Sequence, residues 1–148
     1  MQTHSERPLP TPSPLTRPFW DACRQHRLSL QRCDNCGKFR FYPTAACPHC
    51  SSPDHRWETV SGRGTVYSWI VVERTHDPYW RQRVPYVCAI VELREQAGLY
   101  MPGLLTGAEP GKVLAGMPVS VVFEDVSPSI SLPVWIPAVD TPVRDLHT

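Results

Sequence analysis

Residues 33 to 50 read CDNCGKFRFYPTAACPHC, two Cys-x-x-Cys pairs separated by ten residues. Four thiolates at Cys33, Cys36, Cys47 and Cys50 can surround one Zn2+ tetrahedrally, and a two-residue gap lets both cysteines of a pair grip the ion from one tight turn. Gly37 directly after Cys36 suits a turn that needs a permissive backbone, and Pro48 stiffens the second pair. The competing readings are redox dithiols or two disulfides. They are weaker, because one dithiol suffices for redox work and no βαβ pattern surrounds either pair. The ligand set is complete, with no coordination position left for water or substrate, so one structural Zn2+ in a zinc ribbon is expected rather than zinc catalysis.

Around this module the 148-residue chain has room for one moderate core. Seventeen prolines favour turns over long helices. No apolar run reaches the ~18 residues of a membrane helix. The opening MQTHSERPLP lacks the basic-then-apolar order of a secretory signal. A reducing cytoplasmic setting is therefore expected, and it suits thiolate ligands. Residues 1–56 hold eight Lys/Arg against four Asp/Glu, and residues 57–148 hold seven against ten. The ribbon end is mildly basic, which fits either an ordinary solvated surface or contact with phosphate or an acidic partner.

Residues 1–15, with prolines at 8, 10, 12 and 14, read as a disordered or extended arm. Residues 16–31 read as a short helix from Thr16 to about Arg27 and a lead-in strand at 28–32. Pro18 can start the helix, and Asp21 is placed in its first turn. Phe19 and Trp20 are either core or an interface anchor. The ribbon spans 32–56. Within it Lys38-Phe39-Arg40-Phe41-Tyr42 alternates cation and aromatic, which in isolation resembles a nucleic-acid surface. Packing of Phe39 and Phe41 against a neighbouring domain is favoured, since a ribbon has little interior of its own. His49 and His55 are read as solvent-side residues.

Residues 57–137 carry the barrel pattern. Trp57–Gly64 reads as the exit turn from the ribbon, followed by strands at 65–73, 85–95, 98–105, 117–126 and 130–136. In the first of these, Val66, Ile70 and Val72 are assigned to one face and Tyr67, Trp69 and Val71 to the other. Cys88 is read as a core position, and Pro133 as marking an edge or bulge. The loop RTHDPYWRQRV at 74–84 sets Tyr79 and Trp80 beside Arg81 and Arg83, a common hot-spot composition. His76 next to Asp77 is a weak catalytic pairing. Five short strands suit a partly open barrel of oligonucleotide/oligosaccharide-binding (OB) type, with an SH3-like barrel as the rival. The fold class is thus mainly β: N-terminal helix, zinc ribbon and five-stranded OB barrel. A tail at 138–148 is peripheral.

The combined order of FW at 19–20, LQRC at 30–33, CxxCG at 33–37, YP at 42–43, CPxC at 47–50, SGRGTVYSW at 61–69, PYVCAIVEL at 85–93, GMPVSVVFEDV at 116–126 and LPVW at 132–135 resembles one family. It is the acyl-CoA-associated OB-fold family with a rubredoxin-like zinc ribbon, formerly domain-of-unknown-function family thirty-five. The likeness covers about residues 18–137, and the four cysteines match the family's metal positions. It implies a small subunit beside thiolase-like or ketoacyl-synthase-like proteins, or beside hot-dog-fold hydratases or lipid-transfer-protein-like aldolases. The larger partner then supplies the catalytic groups, and CoA or acyl-CoA is met only through that partner. Phloroglucinol-type acetyltransferase assemblies contain a small subunit of similar size.

Three functions remain for comparison. The first is a noncatalytic zinc-containing accessory subunit that organises a thiolase-type acyltransferase hetero-oligomer. Its expected partner surface is Phe19, Trp20, Phe39, Phe41, Tyr79, Trp80 and Arg81. The second is a nucleic-acid-binding ribbon/OB module, weakened by a net charge of +1. The third is an independent enzyme using Cys23, Cys88 or His76, for which no supporting motif is present.

Overall fold

The computed structural model describes residues 6–138; the expected tail lies, past Ala138, outside them. Helix α1 runs Arg17–Arg24, with a proline in its first turn. A turn precedes it in which Ser13 N–H donates to Thr16 Oγ1 at 2.9 Å. Phe19, Ala22 and Cys23 form its buried face, the i, i+3, i+4 spacing of a helix packed on one side. The helix ends earlier than expected, because His26 adopts φ 59°, a left-handed conformation that breaks the repeat. Its first turn holds no acidic residue, so Asp21 lies too far along to favour the positive end.

Strand β1 (Ser29–Cys33) follows, and pairs with β2 (Phe39–Arg40) on one edge and β3 (His55–Thr59) on the other. All three are antiparallel, with Gln31 opposite both Arg40 and Trp57. The expected exit turn at Trp57–Gly64 is thus partly strand. Trp57–Thr59 completes the ribbon sheet, and only then does the chain turn into the barrel. The open edge of β1 recruits these residues, a tertiary demand that local turn chemistry does not reveal.

The barrel comprises β4 (Arg63–Val72), β5 (Tyr86–Leu93), β6 (Tyr100–Leu105), β7 (Pro118–Asp125) and β8 (Ser131–Pro137). Its order is β4-β5-β6-β8-β7, closed by pairing of β7 with β4. Antiparallel pairing is broken at one place, where β6 meets β8 in parallel at Leu105 and Trp135. This is the five-stranded OB barrel the pattern anticipated, closed by the β4–β7 pairing where a partly open one was expected. Inward positions on β5 are Val87, Ala89, Val91 and Leu93, met by Val66, Met101, Leu105, Val119 and a fully buried Trp135. Trp135 lies so close to Gly103 that a Cβ there would stand 2.8 Å from the indole; glycine is required by that approach. Pro133 opposes Phe123 of β7, and its missing N–H falls in the part of β8 that does not pair with β6.

Two face assignments are corrected. A bulge between Val66 and Ser68 in β4 shifts the alternation. Beyond it, Trp69 and Val71 sit opposite the inward Ala89 and Val87, while Ile70 sits opposite Cys88. Ile70 and Val72 therefore leave the face that Val66 occupies. Cys88 is likewise an outward, half-buried position and not part of the core.

The ribbon docks on the barrel through side chains as well as apolar packing. Gln96, in the β5–β6 turn, accepts from Phe39 N–H at 2.8 Å and donates to the Phe39 carbonyl at 3.1 Å. One amide thus pairs with the β2 backbone as a neighbouring strand would. At the other end, His26 Nε2 lies 2.9 Å from Asp125 of β7, and its ring stacks on Phe123 at 5.6 Å.

Candidate metal centre and exposed barrel face

Each cysteine pair sits in a turn of similar design. After Cys36, Gly37 takes φ 76° and returns its N–H to the Cys33 carbonyl at 3.0 Å. After Cys50, Ser51 takes φ 67° and returns its N–H to the Cys47 carbonyl at 2.8 Å. The same left-handed step closes both turns, at glycine in one and at serine in the other. It aims the sulfurs inward. The Cys33–Cys50 and Cys36–Cys47 Sγ separations are each 3.6 Å, and all four Sγ lie within 4.8 Å of one another. A tetrahedron with Zn–S bonds near 2.3 Å has edges of about 3.8 Å, so the thiols fit one such ion.

The surroundings favour the thiolate at Cys47 and Cys50, whereas at Cys36 a lowering hydrogen bond from the Lys38 backbone is outweighed by desolvation and the neighbouring sulfurs, which raise it to about 11. Asn35 Nδ2 approaches Cys50 Sγ at 3.4 Å, and His49 N approaches Cys47 Sγ at 3.4 Å. The Asn35 contact, followed by the Ser52 backbone, lowers the Cys50 thiol to about 6. Cys23, by contrast, is shut in the core, and burial raises it to about 12, which disqualifies it as a nucleophile at neutral pH. Burial raises Cys88 as well.

Behind the metal turns lies a polar knot that sequence reading missed. Gln31 is almost wholly buried and accepts from Arg40 Nε at 3.0 Å and from Thr44 N at 2.9 Å. Its amide NH2 lies 3.0 Å from the Thr44 carbonyl and 3.3 Å from His55 Nε2. His55 Nδ1 faces the Pro53 carbonyl at 3.1 Å. That places the proton on Nδ1 and leaves Nε2 to accept from Gln31. His55 is therefore a structural half-buried residue and not a solvent-side one. Polar residues inside a strand pattern were the available signal.

This knot bears on the nucleic-acid reading. In the 38–42 stretch Phe39 is 6% exposed and Arg40 is 4% exposed. The Arg40 guanidinium is turned inward to Gln31 and the Thr44 carbonyl. The alternation of cation and aromatic is thus an alternation of core and support, with Lys38 and Tyr42 facing outward.

The expected contact residues divide in two. Phe19 and Phe39 are core residues and offer no surface of their own. They serve as packing because the ribbon and helix share one apolar cluster with the barrel. Trp20 and Phe41 are half-buried, with Phe19 packed against both at ring distances of 4.9 and 5.5 Å. In the 74–84 loop a single-turn helix α2 (Pro78–Arg81) is capped by Asp77, whose Oδ1 accepts from Tyr79 N and Trp80 N. Asp77 therefore caps a turn, and His76 has no carboxylate partner among the described residues. Tyr79 and Trp80 are half-buried, Arg81 is exposed, and the Arg83 guanidinium stacks on Tyr79 at 3.5 Å.

Of these, Trp20, Phe41 and Trp80 help to line an apolar groove of about 490 Å³, together with Cys88, Pro102 and Leu132. Beside it the outer face of β4, β5 and β6 is also apolar. Ile70 is 63% exposed and Tyr67 58%, with Ile90 and Tyr100 adjoining. The Tyr67 and Tyr100 rings lie 4.6 Å apart. Among the described residues no helix is long and apolar enough to cross a membrane.

Comparison with known proteins agrees with this geometry. Residues 20–56 match the rubredoxin-like zinc ribbon domain of ChsH2, and residues 57–124 match the C-terminal OB-fold domain of ChsH2. A probable enoyl-CoA hydratase alpha subunit of Thermomonospora curvata is 44% identical over 124 residues, covering 82% of this chain and 37% of the relative. A 3-oxo-4,17-pregnadiene-20-carboxyl-CoA hydratase alpha subunit of Mycobacterium tuberculosis is 39% identical over 128 residues, covering 86% and 39%. This chain therefore spans about two-fifths of the length of those two relatives. A DUF35 domain-containing scaffold protein of Methanocaldococcus jannaschii is 36% identical over 96 residues, covering 64% and 66%. Among solved structures, a chain of the Ltp2-ChsH2(DUF35) aldolase superposes with a TM-score of 0.78 at 37% identity, covering 88% of this chain and all of that one. With the four-cysteine ribbon and the closed barrel both matched, the chain belongs to the ChsH2/DUF35 family, an OB-fold barrel joined to a rubredoxin-like zinc ribbon.

Proposed function

We propose that this chain is a noncatalytic, zinc-bearing accessory subunit that organises an acyl-CoA-processing complex of thiolase type. The observation that carries the reading is the exposed apolar face of β4, β5 and β6, running into the groove lined by Trp20, Phe41 and Trp80, with Tyr79 and Arg81 on the adjoining α2. A contiguous patch of this kind marks an interaction surface, and its aromatic and arginine rim has the composition of binding hot spots. Phe19 supports that groove from beneath, while Phe39 packs in the cluster the ribbon shares with the barrel. Cys33, Cys36, Cys47 and Cys50 hold one structural Zn2+, which fixes the ribbon beside the groove.

The chemistry belongs to the partner. Cys23 is buried, Asp77 is engaged as a cap, and no residue pair described above is arranged as nucleophile and base. A thiolase-like or ketoacyl-synthase-like partner would supply the nucleophile and bind CoA or acyl-CoA. Its reaction would be acyl transfer or carbon–carbon bond formation on ketone or acyl-CoA-like substrates, acetylation of a phloroglucinol-type ring among them. The names of the relatives, hydratase alpha subunits, an aldolase complex and scaffold proteins, support a hetero-oligomer. Four free cysteines held for a metal suit a reducing cytoplasm.

The test is affinity purification of the native complex at mild salt, with wild type beside Ile70→Arg and Tyr67→Ala. The wild type should retain a stoichiometric acyl-CoA enzyme, and Ile70→Arg should lose it while keeping its metal. Recovery of the chain alone, with full acyl transfer by the larger protein without it, would contradict the proposal.

A further inference from the structure

The N-terminal arm touches the barrel at one residue that neither the metal site nor the exposed face accounts for. Arg7 Nη1 donates to Glu124 Oε1 of β7 at 2.9 Å. Its guanidinium carbon lies 5.1 Å from the Trp80 ring centre and 5.7 Å from that of Tyr79. A carboxylate and two aromatic rings form a clasp suited to a planar cation. Its walls are themselves fixed, because Trp80 packs on Tyr86 at 4.9 Å and the Asp77 cap holds α2. Only 13% of the Arg7 side chain is exposed, although it sits on an arm with no secondary structure.

Arg7 also stands where two cavities meet. The 490 Å³ groove toward Trp20 and Cys88 and a second one of about 370 Å³ toward Thr106 and Pro110 share Arg7, Trp80, Tyr86 and Leu104 as lining. Between Arg7 and the Ser13–Thr16 turn the chain carries Pro8, Pro10 and Pro12, which keep it extended whether or not it is attached. A stiff segment anchored at the helix end and fastened through the Arg7 side chain can lift with little change in its own order.

We propose that residues 6–12 form a strap that Arg7 fastens into the Tyr79–Trp80–Glu124 clasp, and that its release joins the two cavities into one trough. Anything that lies along the trough must first displace Arg7. The strap is thus a built-in competitor for the surface, held by a cation–π and ion-pair contact that salt weakens.

Cys88 lines the larger groove and reports its opening. In the zinc-loaded full chain, alkylation of Cys88 by N-ethylmaleimide is followed by peptide mass, in low and high salt. Neutral Nile red fluorescence reports apolar trough surface independently. Arg7→Ala and Glu124→Gln should raise the Cys88 rate about five- to thirtyfold, the range expected for losing one such contact. Both variants should also bind Nile red more strongly, and salt should accelerate the wild type but not Arg7→Ala. A wild-type alkylation rate in Arg7→Ala, unchanged Nile red binding, or a salt-independent wild type would each overturn the strap.

Discussion

The ribbon and the barrel are neighbours in one cluster but are stabilised by different means. The barrel encloses Val66, Val87, Val91, Val119 and Trp135, a continuous apolar interior in which each strand contributes inward positions. The ribbon has three short strands, one of two residues, and its centre is the Gln31–Arg40–Thr44–His55 knot beside the cysteines. Its apolar residues, Leu30 and Phe39, are spent on the shared cluster with the helix and barrel. A module of this size cannot bury enough surface to fold by itself. The difference teaches that the metal replaces a core in one half and has nothing to replace in the other.

The largest expected effect separates the halves directly. Chelation of the metal, or Cys36→Ser, should remove coupled binding free energy on the order of 10 kcal/mol. Amide exchange should show β1, β2 and β3 losing protection while β4, β5 and β7 keep theirs. A metal-free ribbon with undiminished protection would erase the distinction.

Next comes the converse lesion. Trp135→Ala empties the barrel beneath Gly103 and should cost about 3–5 kcal/mol by urea unfolding, with the metal still bound. If metal release accompanies it, the two halves unfold as one unit and the comparison must be redrawn.

A smaller effect tests the polar knot. Gln31→Leu keeps the side-chain bulk but leaves Arg40, the Thr44 N–H and the His55 acceptor short of a partner. Removing one partner of a buried polar group costs about 1–3 kcal/mol, here read as faster exchange in the ribbon alone. Stability equal to wild type would mean that the metal alone orders the ribbon.

The smallest effect lies at the seam. The Ser131 hydroxyl, and after it His26, hold the Asp125 carboxyl below its ordinary value. A lowered folded-state value stabilises the protein above the unfolded carboxyl's pKa, and that contribution fades as pH falls through the folded one. Comparison of wild type with Asp125→Asn across acid pH should therefore show a modest gap at neutral pH that closes on the acid side. A gap that widens in acid would reverse the sign argued here.

Much of this was legible beforehand because it rests on local pattern. The cysteine spacing predicts the metal turns, and alternating apolar runs place all five barrel strands to within a few residues. What escaped depends on partners distant in sequence. β3 begins in the ribbon and ends in what reads as a turn, because only the open edge of β1 makes it a strand. The faces of β4 invert at a bulge that leaves no mark in TVYSWIVV. Gln31 and Gln96 look like ordinary polar residues until the backbone groups they satisfy are brought to them.

The expected contact surface divides for the same reason. Phe19 and Trp20 are adjacent and chemically alike, yet one is core and the other half-buried. Helix rotation against the barrel makes that choice, and no property of either residue does. Cys88 moved the opposite way, from an assumed interior to the lining of a groove.

Sequence alone determined that four thiols would converge, that the chain would be mainly β, and that no complete catalytic motif was present. Those conclusions follow from spacing, period and residue chemistry, which are local. Only the tertiary structure decided which aromatics face outward, how Arg40 is sequestered, and where Arg7 comes to rest 117 positions from Glu124. Such contacts are set by the packing of distant elements, and their strength depends on burial and geometry that no stretch of sequence carries by itself.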